Sequence, residues 1–374
     1  MRIAIAGGGV AALEAALAAR KHSPEAEITL YSREELPPYR RPALSGMVAR
    51  ELDDARFYIK GREFYETERI GLRLGTEVAK LELSEHRLRF ADGGAAEFDR
   101  LVIAVGGRAF VPPVPGLETE RAMVLREYSD LRRLRKLLSD GGLHRVTVLG
   151  GGVLGLELAA ALLERKVAVT VVENLPNLMP RNLDPEAGKL VFAHLAEVPG
   201  LALRFGVSAV RLTDAGLELD DGTVLKTDLV CVSAGVRPNA GFAAEAGLSC
   251  GRGITVDEHM RVSGGENIFA AGDVAECNGV WRGLFSTARS MGQIAGTNAA
   301  GGDAVYVPEA SPVRLAAFGL KVFSAGVFDG MRGEGGGDLA HYRKLFYNAE
   351  GELRGAILMG DLSEALKLQS AIGG

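Results

Sequence analysis

A chain of 374 residues is longer than one hydrophobic core usually carries, so two or three domains are expected. With 47% hydrophobic residues, 24% charged residues and a formal net charge of -5, it lacks the basic excess of a general nucleic-acid or membrane-surface binder. Its three cysteines, Cys231, Cys250 and Cys277, lie far apart and form no CxxC pair, so they suggest neither a zinc site nor a local redox disulfide.

Met1-Arg2 runs straight into Ile3 to Ala6, which reads as a strand rather than a signal peptide. No apolar stretch reaches the roughly 20 residues that span a bilayer, and a cytoplasmic setting is the default expectation. Gly7-Gly8-Gly9 follows the strand as a turn, and Val10 to Arg20 reads as an alanine-rich helix leading to a strand at Ile28 to Tyr31. Glu82 to Phe90 and Ala96 to Val105 read as strands with turn signals at Asp92-Gly93-Gly94, and Pro112, Pro113, Pro115 and Gly116 mark a crossing between domains. The opening pattern then returns. Val146 to Leu149 is a strand, Gly150-Gly151-Gly152 a turn, Val153 to Arg165 a helix and Val169 to Val172 a strand. Gly216 to Leu219 and Val224 to Val232 flank an Asp221-Gly222 hairpin, and Gly235 to Asn239 makes a second crossing. Beyond Gly301-Gly302, Leu315 to Val327 and His341 to Met359 read as strands joined by Gly333 to Gly337, with a closing helix at Leu362 to Ile372. Repeated strand–turn–helix units imply parallel sheets covered by helices.

The chemistry sits in the turns. Gly7 to Ala12 fits G-x-G-x-x-A: Gly7 permits the sharp turn, Gly9 lets backbone approach a pyrophosphate, and Ala12 brings helix close to strand, with Val10 and Ala11 at the helix N-terminus. Its acidic partner is Glu34 or Glu35, because Ser32 occupies the strand end, and spacing alone leaves the ligand of this turn open. Gly150 to Gly155 fits G-x-G-x-x-G through Gly150, Gly152, Val153, Leu154 and Gly155, and Glu173 ends the next strand, where a carboxylate takes the hydroxyls of an adenosine ribose. That carboxylate repels a 2′-phosphate and no arginine follows it, which favours NADH over NADPH. The run Asn267 to Asp273 ends in Gly272-Asp273, read as a cap or as a return to the first site.

In this order the motifs resemble the pyridine nucleotide-disulfide oxidoreductase superfamily, the flavoproteins that bind two dinucleotides. The resemblance implies an α/β fold with two Rossmann-like, glutathione-reductase-like domains and a small α+β C-terminal domain. It assigns the first turn to FAD and the second to NADH, and makes the chain an FAD-dependent NADH oxidoreductase. Ala104-Val105-Gly106 stands where the family has Ala-Thr-Gly, Gly235 begins the second crossing, and Gly272-Asp273 matches the aspartate that holds the ribityl chain. Pro38 to Ser45 is similar to the segment passing the flavin in NADH:rubredoxin reductases and in the flavin-bearing part of nitrite reductase, which nominates Arg41, Pro42 and Ser45. The same resemblance nominates Arg126 as an FAD contact and Val78 for the adenine. Phe285 and Thr287 lead a helix facing the flavin, and Glu157 stands near the flavin–nicotinamide contact. Glu157, Arg41 and Ser45 are thus expected nearest the chemistry.

The resemblance implies an FAD domain of residues 1–107 and 236–303, an NADH domain of 108–235 and an interface-type domain of 304–374. Leu44 to Val48 lacks the thiol pair of the family's disulfide-dependent members, so electrons are expected to leave the flavin directly, for rubredoxin, ferredoxin or another iron protein. An NADH oxidase, an electron-input subunit of nitrite reductase and an NADH-responsive binding or assembly protein are the alternatives. No metal site, no nucleic acid and no membrane are expected, with a monomer or homodimer. Arg132, Arg133, Arg135 and Lys136 read as a solvated basic face, with a dock for an acidic carrier as the sharper alternative.

Overall fold

Apolar runs that alternate with helices in the sequence become neighbours in parallel sheets. The structure, a computed structural model, describes residues 1–308, 310 and 312–372. Positions 309, 311, 373 and 374 of the expected C-terminal domain lie outside the described residues. The chain divides into two units: Met1–Arg41 with Leu52–Arg108 and Val236–Pro308, and Pro42–Glu51 with Ala109–Gly235 and Glu309–Gly374.

In the first unit, strands Ile268–Ala270, Arg100–Ile103, Arg2–Ala6, Glu27–Tyr31 and Ile70–Arg73 lie side by side in that order, all parallel. The second unit repeats the order with Ala122–Val124, Leu229–Val232, Arg145–Leu149, Ala168–Glu173 and Leu201–Phe205. In both, the central strand runs into a glycine turn and a helix, Val10–His22 or Val153–Glu164. The central strands Arg2–Ala6 and Arg145–Leu149 are buried from their second residue on, as strands covered on both faces must be. The outer strand beside Arg100–Ile103 arrives late in the chain, whereas its counterpart Ala122–Val124 precedes its unit's central strand. Each unit also carries a three-stranded antiparallel sheet: Val78–Glu82, Arg87–Phe90 and Ala95–Glu97 in the first, Ala209–Thr213, Gly216–Leu219 and Val224–Leu225 in the second.

Several expected strands are hairpins. The run Glu82 to Phe90 turns at His86, whose φ of 46° reverses the chain, and Arg87 and Arg89 reach back to the Glu82 carboxylate. Leu315 to Val327 breaks at Phe318 and Gly319, both at positive φ, into Val313–Ala317 and Leu320–Gly326. His341 to Met359 divides at Gly351, and the expected link Gly333 to Gly337 is mostly an edge strand, Arg332–Gly336. Apolar content runs through these turns, so alternation alone does not reveal them. The resulting C-terminal sheet is antiparallel, ordered Val313–Ala317, Leu320–Gly326, Leu353–Gly360, His341–Tyr347, Arg332–Gly336, with helix Ala365–Ile372 packed on it.

Within the second unit one core joins this sheet to the nucleotide-type sheet's helices. Leu156, Val191 and Leu195 are buried with Leu315, Val322, Tyr342 and Ile357. Beside that core, Asp184 caps helix Pro185–Ala196 and receives Lys344 Nζ at 2.6 Å. The same ammonium donates to Glu186 at 2.7 Å, and the buried Tyr342 hydroxyl donates to Asp184 at 3.2 Å.

Candidate functional site

The two turns superimpose in their bonding. Gly7 N–H donates to Tyr31 O at 2.8 Å, and Gly150 N–H donates to Val172 O at 2.8 Å. Both first glycines have positive φ, +139° and +121°, and a Cβ there would strike the Ala104 or the Ser233 carbonyl. Gly155 has no room for a side chain against the Gly150 carbonyl, and Ala12 is fully buried at the matching place. The third glycines behave differently. Gly9 and Gly152 have ordinary φ values of -95° and -78°, and beyond the adjacent residues no protein atom lies within 4 Å of a Cβ built on either. A side chain at either position would meet no other segment of the protein, so the space beside both turns is open to a group approaching the backbone. Both also begin helices with no side-chain cap, leaving first-turn amides at Val10, Ala11, Val153 and Leu154 to meet an anion. The residues fit a pyrophosphate at each turn.

The carboxylates differ between the repeats. By register, Ala6 pairs Tyr31 and Leu149 pairs Val172, so Ser32 and Glu173 stand at equivalent strand ends. Glu173 accepts from Gly151 N–H at 2.9 Å and from Leu175 N–H at 3.0 Å, which fixes its carboxylate beside the turn. Ser32 is buried and donates to Glu34 O at 3.2 Å. Of the two expected acids, Glu35 is exposed and Glu34 is half-buried. Glu34 accepts from Tyr39 Oη and Arg41 Nη2, each at 2.6 Å, and the Arg41 guanidinium lies 5.1 Å from the Tyr39 ring centroid. Glu34 and Arg41, nominated separately, are thus partners.

Asp273 lies in the short 3-10 turn Gly272–Val274 directly after strand Ile268–Ala270, beside the first sheet's Arg100–Ile103. Gly272 (φ +79°) leaves no room for a Cβ against Ala11. Helix Phe285–Ala299 packs along helix Val10–His22 because a Cβ at Gly292 or Gly296 would strike the Ala11 or Ala15 carbonyl. Two hydrogen bonds lock the pair: buried Glu14 accepts from Arg289 at 2.7 Å and from Gln293 at 2.8 Å. The sequence reading missed Glu14, Arg289 and Gln293, although the spacing Gly292-x-x-x-Gly296 signals close helix approach. Thr287 is buried in the first turns of that helix, Phe285 is exposed at its start, and no side chain caps it. Ala104 N–H donates to Ala6 O at 2.7 Å, Gly106 has φ +64°, and Asn239 Nδ2 donates to Val105 O at 3.0 Å. Val105 thus bonds through its backbone carbonyl. Val78 begins the strand Val78–Glu82 and is half-buried.

In the second unit, Gly235 (φ +110°) follows Ser233, whose N–H donates to Leu149 O at 2.7 Å, repeating the bonds of Ala104. Glu157 is half-buried on helix Val153–Glu164, and burial alone pushes its carboxyl up to about 7. Its counterpart in the first helix is Glu14, which is paired. Arg126 is half-buried, and its backbone N–H donates to Asp130 at 2.9 Å before helix Tyr128–Ser139. Pro42 and Ser45 belong to the second unit, with Ser45 buried, whereas Arg41 ends a segment of the first. The segment is pinned by Arg135, which donates to Met47 O at 2.9 and 2.6 Å and to Arg50 O at 3.0 Å. Arg135 therefore leaves the basic face: it is a structural tether, while Arg132 and Arg133 stay exposed.

Burial raises the pKa of all three thiols, that of Cys231 to about 12, so none is poised as a thiolate. Among the described residues no cluster of His, Cys, Asp and Glu could hold a metal ion, and no helix is long and apolar enough to cross a membrane.

Fold and turns together define an oxidoreductase class that binds two dinucleotides. Residues 1–301 match the family described as pyridine nucleotide-disulphide oxidoreductase, and residues 312–373 match the rubredoxin NAD+ reductase C-terminal domain. A rubredoxin-NAD(+) reductase of Pseudomonas putida is 33% identical over 280 residues, covering 74% of this chain and 72% of that one. A nitrite reductase [NAD(P)H] of Bacillus subtilis (strain 168) is 30% identical over 97% of this chain, which spans 46% of that relative's length. The crystal structure of NADH:rubredoxin oxidoreductase from Clostridium acetobutylicum superimposes with a TM-score of 0.81 at 27% identity, covering 99% of this chain and 94% of that one. The chain belongs to the pyridine nucleotide-disulphide oxidoreductase family, and its cofactors are FAD and NADH.

Proposed function

We propose that this chain takes reducing equivalents from NADH onto FAD and delivers them one at a time to a small iron protein, rubredoxin or a ferredoxin. The observation that carries the reading is the pair of turns in which Gly9 and Gly152 keep open space at an uncapped helix N-terminus. When bound, FAD supplies the ability to accept a hydride and release single electrons. The residues do the rest. Gly7, Gly9, Val10, Ala11 and Ala12 seat the FAD pyrophosphate, Asp273 takes the ribityl chain, and Glu34 stands toward the adenosine end with Val78. The backbone from Ala104 to Gly106, Thr287 and the Phe285 helix terminus serve FAD from the first unit, and Arg126 is a further FAD contact. Gly150, Gly152, Val153, Leu154 and Gly155 seat the NADH pyrophosphate, and Glu173 takes the ribose and repels a 2′-phosphate. Glu157, Arg41, Pro42, Ser45 and Gly235 orient the reacting rings. The three functional parts are residues 1–107 with 236–303, 108–235 and 304–374.

The thiols, all held in the protonated form by partial or full burial, support an exit that bypasses cysteine, and unpaired cysteines suit a reducing, cytoplasmic setting. The match to the rubredoxin NAD+ reductase C-terminal domain and the rubredoxin-NAD(+) reductase relative support the choice of acceptor. The nitrite reductase relative, matched over 97% of this chain, supports a second reading as an electron-input module.

The test is an anaerobic titration of the purified yellow protein with NADH and NADPH, then steady-state turnover with rubredoxin, ferredoxin and O2. Bleaching by NADH and fast turnover with an iron protein are expected. Fast turnover with O2 alone would make it an oxidase, and slow turnover with every acceptor would make it a binding protein. A protein that cannot be reconstituted with FAD sinks the proposal. Glu173→Ala should raise the NADH KM tenfold or more, the loss of a hydrogen-bonded charge of about 1.5–3 kcal/mol, and should spare NADPH.

A further inference from the structure

The chain has one tryptophan, Trp281, and no cofactor motif accounts for it. Its indole Nε1–H donates to the backbone carbonyl of Asp273 at 2.9 Å. The Arg252 guanidinium lies over the ring, 3.8 Å from its centroid. Gly283 leaves room for the indole: a Cβ there would come within 2.5 Å of the ring edge. Trp281 is paired with Glu276 across the antiparallel strands Ala275–Cys277 and Val280–Trp281, and the Glu276 carboxylate accepts from Gly253 N–H at 2.9 Å, next to Arg252. The ring is therefore held from several directions. The segment that carries Asp273 has less regular structure of its own, being a 3-10 turn of three residues with no side-chain cap. A single 3-10 turn is weak by itself, so tertiary bonds must set its backbone.

We infer that Trp281 is a positioning residue of the flavin pocket: by holding the Asp273 carbonyl it fixes where the Asp273 carboxylate stands, and Arg252 keeps the indole in place. This rests on the assignment of Asp273 to FAD. The decisive comparison uses Trp281→Phe, which keeps a ring under Arg252 and removes the N–H, with Arg252→Gln as a milder second variant. FAD affinity of the apoprotein, its unfolding midpoint and tryptophan emission are read together.

In the wild type, FAD should quench Trp281 emission along the same binding curve as the flavin absorbance. Trp281→Phe should weaken FAD roughly five- to tenfold, the size of one neutral hydrogen bond, with the apoprotein midpoint lowered by only about 2–4 °C. Arg252→Gln should weaken it about two- to fivefold, as for an exposed cation–π contact, and shift the emission. In an Asp273→Ala background, Trp281→Phe should cost nothing further, because the indole acts through that residue. Unchanged FAD affinity in Trp281→Phe, an equal loss in the Asp273→Ala background, or emission that ignores bound FAD would each overturn the inference. A wild-type protein that binds no FAD would instead overturn the assignment on which it rests.

Discussion

Glu14 and Glu157 occupy the same place in two copies of one structural unit and meet opposite fates. Glu14 is ion-paired with Arg289 and accepts a hydrogen bond from the Gln293 amide. Glu157 is half-buried, and that burial pushes its carboxyl up from 4.5 to about 7. The sign of the consequence follows from proton linkage. Between pH 4.5 and 7 the folded protein holds a proton that the unfolded chain has released, so this group's contribution is complete below pH 4.5 and is lost as pH rises to 7. Glu157→Gln should therefore be more stable than wild type at pH 8, by about 1–2 kcal/mol after discounting partial solvation, and nearly equal at pH 4. Urea unfolding at the two pH values checks this. The rate of flavin reduction by NADH should also show an inflection near pH 7 that the glutamine variant lacks. The need for an acid at strand ends was legible at Glu173. The pairing of Glu34 with Arg41 and Tyr39 was not, because it depends on how the Pro37 to Arg41 segment folds back.

At the scale of elements, the glycines fall into two groups that the motif alone does not separate. Gly9 and Gly152 have ordinary φ and clear surroundings, so Gly9→Ala and Gly152→Ala should leave the apoprotein folded, at a capping cost of no more than about 1 kcal/mol. Gly9→Ala should lose FAD, read as missing flavin absorbance after dialysis. Gly152→Ala should keep the yellow colour and raise the NADH KM at least tenfold, about 1.4 kcal/mol. Gly296→Val is the contrast: its side chain collides with the Ala15 backbone, forcing the helices apart at a cost of about 3 kcal/mol or more, and FAD binding and the melting midpoint should fall together. Strand–turn–helix units were readable because their strands are buried on both faces. The hairpins at His86 and Phe318 were not, because a residue at positive φ carries no distinctive side chain.

At the scale of the molecule, the second unit combines a nucleotide-type sheet with the C-terminal antiparallel sheet, and the join includes a charge cluster in which Asp184 is buried and Glu186 exposed. Lys344 is 16% exposed and serves both Asp184 and Glu186. Lys344→Met would leave two carboxylates without their cation, and the loss expected for breaking a buried pair is about 3–5 kcal/mol. The variant should unfold at lower urea while keeping a normal flavin spectrum, since the cluster lies within the second unit.

The sequence alone determined the two dinucleotide units, their order, the preference for NADH and a Leu44 to Val48 segment without cysteine. Those properties reside in short contiguous stretches, where a turn, a helix start and a strand end are fixed by neighbours in the chain. Only the tertiary structure separated the glycines with open surroundings, Gly9 and Gly152, from those that serve packing, such as Gly155 and Gly296. It also decided that Arg135 is a tether rather than a surface charge, and that Trp281 reaches Asp273. Each of these depends on atoms brought together from distant segments, and chain spacing does not encode that distance.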